Sequence, residues 1–151
     1  MEYFNNKSEN FFREVRKIEI YNCNSISYID NYKGIFPPED SILYVFEIIP
    51  ENFSRKIPRK KKDGNYYHEI DLGFPLLKIK KEDVEKYQSY FNERKFAVVV
   101  ISNTEKMLVG NDREPLTIEV LDNKKDDNSG TDEYNISITG ETILTPKILN
   151  L

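Results

Sequence analysis

Over most of its length the chain alternates apolar and polar positions with a period of two, the signature of half-buried strands. Residues 15–21 (VRKIEIY) place Ile18 and Ile20 on one side. A second short alternation, 26–30, follows the Asn22-Cys23-Asn24 turn, and the two are expected to form a hairpin. Residues 32–40 hold Gly34, Pro37 and Pro38 and read as a loop. Residues 42–49 (ILYVFEII) are apolar almost without a break and rich in β-formers, which predicts a strand buried on both faces and ended by Pro50.

A polar excursion over 51–64 follows, closed by Asp63-Gly64, a strong turn pair. The chain returns over 66–72, where Tyr66, His68, Ile70 and Leu72 alternate with Tyr67, Glu69 and Asp71. A hairpin with a basic tip accounts for this pattern. Residues 80–94 carry a helical period instead. Val84, Tyr87 and Phe91 make one stripe, with Glu82 and Asp83 in the first turn and Arg94 in the last, as the helix dipole prefers.

The run 96–101 (FAVVVI) predicts a central strand, followed by a turn over 103–106 and a short segment, 107–109, that stops at Gly110. Residues 115–121 alternate through Leu116, Ile118 and Val120. Residues 122–132 form a polar loop, and 134–139 alternate again through Tyr134, Ile136 and Ile138. The last stretch, 143–151, is apolar but broken by Pro146, which predicts an edge strand or a docking tail. The total is seven or eight short strands and one helix. The expected fold class is mainly β (α+β), an antiparallel β-sandwich or open barrel. One domain is expected over 1–151, with a loose N-terminal arm (1–12), the basic excursion (51–64) and a C-terminal tail (143–151).

Composition changes this picture in a few places. The 151 residues are enough for a proper core. Aromatic residues make up 13%, as 10 Tyr and 9 Phe without Trp, and such side chains suit both cores and interfaces. A net charge of -4 disfavours a general nucleic-acid binder. With Cys23 alone, there is no partner for an intrachain disulfide and no cysteine metal cluster. The polar first ten residues do not read as a secretory signal, and no apolar run reaches the roughly 20 residues of a membrane helix.

Catalytic chemistry finds little support. His68 is the only histidine and shares a strand face with apolar neighbours, so a structural role is expected. Cys23 has no local base or cation to activate it. Neither a Gly-x-Ser-x-Gly elbow nor a glycine-rich phosphate loop occurs. In the 122–132 loop, Asp126, Asn128 and Asp132 are hard oxygen donors. The EF-hand spacing is absent, however, since Gly130 stands four after Asp126, and two lysines share the loop. Solvation is the expected role there, and no metal or other cofactor is expected. Glu69 and Asp71 share one strand face and read as the wet side of a sheet. The sharpest electrostatic feature is the run of Arg55, Lys56, Arg59, Lys60, Lys61 and Lys62, six cations in eight residues. These six are the candidate interaction residues, with protein contact and solvation ranked above direct contact with DNA.

Phe96-Ala-Val-Val-Val-Ile, then Leu108-Val-Gly-Asn, Pro115-Leu-Thr-Ile-Glu-Val, a polar Asp/Gly loop and Tyr134-Asn-Ile-Ser-Ile-Thr-Gly-Glu-Thr resemble small tail or neck proteins of tailed bacteriophages. Segment 67–75 and the helix around Tyr87 are similar in order, so the resemblance covers about residues 66–145. It implies a non-enzymatic structural subunit of a virion, in a neck, connector or tail ring. Its partners would be copies of itself and neighbouring virion proteins, with DNA nearby at most and no membrane. Assembly would take place in the host cytoplasm, through strand addition or arm exchange. The alternative is a stand-alone β-sandwich module for a glycan or protein ligand, with exposed tyrosines gathered in one shallow site.

Overall fold

A computed structural model describes residues 13–76, 79–123 and 133–151. In chain order the elements are β1 (Val15–Asn22), α1 (Tyr28–Tyr32), β2 (Ile42–Glu47), β3 (Ser54–Lys56), β4 (Arg59–Lys62), β5 (Asn65–Leu76) and α2 (Lys81–Phe91). After these come β6 (Phe96–Ser102), β7 (Glu105–Val109), β8 (Thr117–Asp122), β9 (Tyr134–Thr142) and β10 (Lys147–Asn150). The ten strands make two antiparallel sheets, in agreement with the mainly β expectation and with more strands than the seven or eight expected.

The first sheet runs β10-β7-β6-β1-β2, and the second runs β3-β5-β9-β8 with β4 also paired to β5. Inward residues of both sheets meet in one cluster. Ile18 lies between Phe46 and Val100 in the first sheet, and Leu72 is opposite Ile138 in the second. Ile18, Leu72 and Ile138 are completely buried, and burying one such side chain contributes about 1.5–3 kcal/mol. At one corner Phe96 and Leu116 exchange two backbone hydrogen bonds, of 2.9 and 2.8 Å, which links the sheets in the manner of an open barrel. Gly110 makes the bend possible. Its φ is +94°, and a Cβ there would stand 3.1 Å from the Ala97 Cα.

The two strongly apolar runs end differently. All seven residues of β6 are buried, because it is central and its outer face is covered as well. Tyr21, Ala97, Val99, Ile101 and Leu108 form a second cluster on that face, with Ile26, Phe36 and Ile42 packed onto it. β2, expected to be buried on both faces, is an outermost strand whose burial alternates, with Leu43 and Val45 exposed. An apolar run reports what the side chains prefer, not which face of the sheet is covered.

Residues 26–30 do not pair with β1 as a hairpin. Ser27 accepts the Asp30 N–H at 3.0 Å and starts the short helix α1, and β1 pairs with β2 and β6 instead. A serine cap with an acid three residues on outweighs an alternation only a few residues long. α2 is shorter than 80–94. Glu93 takes a φ of +59°, and Arg94 stacks on the Tyr90 ring at 4.2 Å rather than facing the helix end. The helix brings Tyr87, Tyr90 and Phe91 against Tyr44, Phe46 and Phe96, with ring centroids 4.8–6.3 Å apart. Much of the aromatic surplus is therefore core.

Neither basic excursion nor C-terminal tail reaches away from the body. Residues 54–56 and 59–62 both lie along β5, and 147–150 lie along β7. The expected arm at 1–12, and the loop at 122–132 beyond its first two residues, fall outside the described residues.

Candidate functional site

The β4–β5 hairpin ends at Asp63 and Gly64, whose φ values of +51° and +82° fit the twist of a tight two-residue turn. Facing it is the loop after Gly110, held by its own side chains. Asn111 is fully buried, and its Oδ1 accepts the N–H groups of Arg113 and Glu114, each at 2.9 Å. Asp112 ties this loop to α1, its Oδ1 accepting the Tyr28 N–H at 2.8 Å and its own N–H donating to the Ile26 carbonyl at 2.9 Å. The Glu114 carboxylate accepts backbone N–H groups of Ile143 and Leu144, which turns the chain as it leaves β9.

Between these walls lies a cleft of about 720 Å³, within the usual range of ligand sites. Tyr28, Tyr66 and Tyr67 line it, together with Lys62 and Arg113 on the cationic side and Asp63 and Glu141 on the anionic side. Arg113 lies 5.3 Å from the Tyr28 ring centroid. Arg59 lies over Tyr66 at 3.9 Å, with Lys61 at 5.5 Å, and the ring is still half exposed.

The six cations singled out by sequence do not form one patch, because strand geometry sends neighbours to opposite faces. Arg59 and Lys61 flank Tyr66, and Lys62 lines the cleft. Lys60 pairs with Glu69 at 2.6 Å, and that hydrogen-bonded carboxylate raises the ammonium pKa. Arg55 points the other way. Partial burial, followed by the nearby Arg13 cation, lowers its pKa, while Glu105 opposes the shift. Glu105 is itself buried and pairs with Arg13 at 2.9 Å. Lys56 is exposed opposite Asp71.

Neither His68 nor Cys23 lines the cleft. His68 is half-buried, and its Nε2 lies 3.3 Å from the Thr145 Oγ1, pinning β5 to the chain before β10. Cys23 is buried, and that burial pushes the thiol pKa up, away from nucleophilic character. Among the described residues no three acids, histidines or cysteines gather as metal ligands, and no helix is long and apolar enough to cross a membrane.

Sequence reasoning named Lys62 and, in its alternative, a shallow site of exposed tyrosines, but not which residues would meet, since Tyr28, Tyr66 and Arg113 come together only through the fold. The local signal was the polar group Asn111, Asp112, Arg113 and Glu114 just after a glycine. Such a group marks a loop held by side-chain caps. No known protein family, no curated protein and no solved structure matches this chain.

Proposed function

We propose that this chain is a non-enzymatic building block that acts by lateral assembly through the margins of its first sheet. On the resemblance of residues 66–145 to tail and neck proteins, its place is a ring of a tailed phage virion, built in the host cytoplasm. The observation that carries the reading is the contrast between margins. β2 (ILYVFE) holds neither lysine, arginine nor proline, and Leu43 and Val45 are exposed on it. On the opposite margin, β10 exposes Ile148 and Leu149, and its one cation, Lys147, lies 5.4 Å from the Tyr32 ring. Natural sheets usually blunt such margins with charge, because an unpaired strand is a template for another chain.

The occupant is a second copy, since among the described residues each molecule carries exposed apolar side chains on both flanks of one sheet. Neighbouring virion proteins would take the same margins at the ends of an assembly. A four-residue strand adds roughly four backbone hydrogen bonds, each worth about 1 kcal/mol net. Burial of the flanking side chains adds to this and places a single contact in the micromolar-to-millimolar range, roughly. Closure of a ring then multiplies weak contacts.

Light scattering across a concentration series, in low and high salt, tests the reading. A discrete oligomer that grows in with concentration and survives salt is expected, because the margins are apolar. A monomer at every concentration up to about 1 mM would sink self-assembly.

A further inference from the structure

We infer that the tyrosine-lined cleft is a binding site for an uncharged oligosaccharide. The cleft lies between the β4–β5 turn, the 111–115 loop and the end of β9, and it uses neither β2 nor the paired part of β10. The inference therefore stands apart from the assembly reading.

The lining selects the ligand class. Tyr28 and Tyr66 offer flat, amphipathic surface that suits the apolar faces of a sugar ring. Between them stand planar polar groups of both signs, with Arg113 as donor and Asp63 and Glu141 as acceptors. Each can engage two neighbouring hydroxyls at once, which is the recognition a polyol offers. A polyanion would meet Asp63 and Glu141, and an organic cation would meet Lys62 and Arg113. A ligand without charge but rich in hydroxyls uses both walls and repels neither. A purely apolar ligand would leave all these charges desolvated and unmatched.

The site is also built in advance. Asn111, Asp112 and Glu114 spend their side chains on backbone groups of the cleft's own walls, so the rigid loop that presents Arg113 needs little ordering on binding. Arg59 covers one side of Tyr66 at 3.9 Å and steadies the ring.

The full chain is titrated by calorimetry with cellohexaose, maltohexaose and chitohexaose, and amide shifts are followed by NMR. The expected result is binding by at least one of them with a dissociation constant of about 0.1–1 mM. Shifts should concentrate at 62–67 and 111–115. Tyr66→Ala and Arg113→Ala should each weaken binding at least about tenfold, or 1.4 kcal/mol. Val45→Lys, on the far margin, should bind as the parent does. Circular dichroism confirms folding, and should Tyr66→Ala fail to fold, Arg113→Ala and the shift map decide. Absence of heat and of cleft shifts at about 10 mM of every sugar overturns the inference. So does a cleft that responds to heparin or a proline-rich peptide and not to neutral sugars.

Discussion

The first sheet ends on β2 and β10, the second on β3 with β4 and on β8, and these margins carry very different side chains. β3 and β4 together place six cations in seven residues. β8 carries Glu119 and Asp122. β2 carries Leu43, Val45 and Glu47 on its exposed positions, and β10 carries Ile148, Leu149 and Asn150. A like-charged margin cannot pair with its own copy without bringing cations together across a few ångströms, whereas an apolar margin gains from the same approach. On the proposed reading, the basic run would have a role that requires no anionic partner: it would hinder the β3–β4 margin from pairing with its own copy.

The contrast can be broken from either side. The largest effect is expected from Leu43→Lys with Val45→Lys, which gives β2 the protection that β4 already has. The dissociation constant for self-association should rise at least about hundredfold, near 2.7 kcal/mol per contact, as read by sedimentation. An unchanged oligomer would move the interface elsewhere. The converse variant, with Thr at Lys60, Lys61 and Lys62, should create new, irregular association through the second sheet, visible as polydispersity in light scattering.

Stability measurements sharpen the same comparison within one sheet. Ile18→Ala, at the covered centre, should cost about 2–5 kcal/mol in urea unfolding, while Val45→Ala, on the exposed margin, should stay within about 0.5 kcal/mol for the monomer. Equal losses would mean that β2 is covered in solution, which is also what tight assembly predicts, so the comparison is run at low concentration.

The smallest effect concerns the outer face. Tyr21 is 2% exposed, and burial, reinforced by the Glu19 carboxylate beside its hydroxyl, raises its pKa well above the free phenol. A raised folded pKa gives stability that is complete below the unfolded value, about 10, and is lost as pH climbs toward the folded one. Alkaline unfolding should therefore begin just above about pH 10, and Tyr21→Phe should move its midpoint upward. No movement would show that the roof over this face, residues 26–42, opens before Tyr21 ionises.

Much of the fold was legible in periodicity. Ile18 and Ile20, Ile70 and Leu72, and Ile136 and Ile138 each alternate with polar neighbours and all face the shared core. β6 read correctly as central because seven consecutive residues avoid charge. β2 read wrongly for the same reason, since coverage of a face depends on a segment distant in sequence. α1 was hidden by a short alternation that a serine cap overrode. The site was less legible still. Lys62 and Tyr66 announce themselves in the hairpin, but Arg113 reaches them through Asn111 and Asp112, and no local pattern says which wall a capped loop will face.

One count in the first sheet has a geometric outcome. Among the described residues it contains five strands, every neighbouring pair antiparallel, so β2 and β10 point in the same direction. On the proposed reading, a β2–β10 contact paired in parallel would carry strand direction over unchanged and keep every copy the same way up, whereas an antiparallel one would turn alternate copies over. The parallel contact would make a polar object, with two unlike rims that could dock two different neighbours. With an even number of strands the two cases would exchange, and an antiparallel contact would be the one that keeps the copies the same way up.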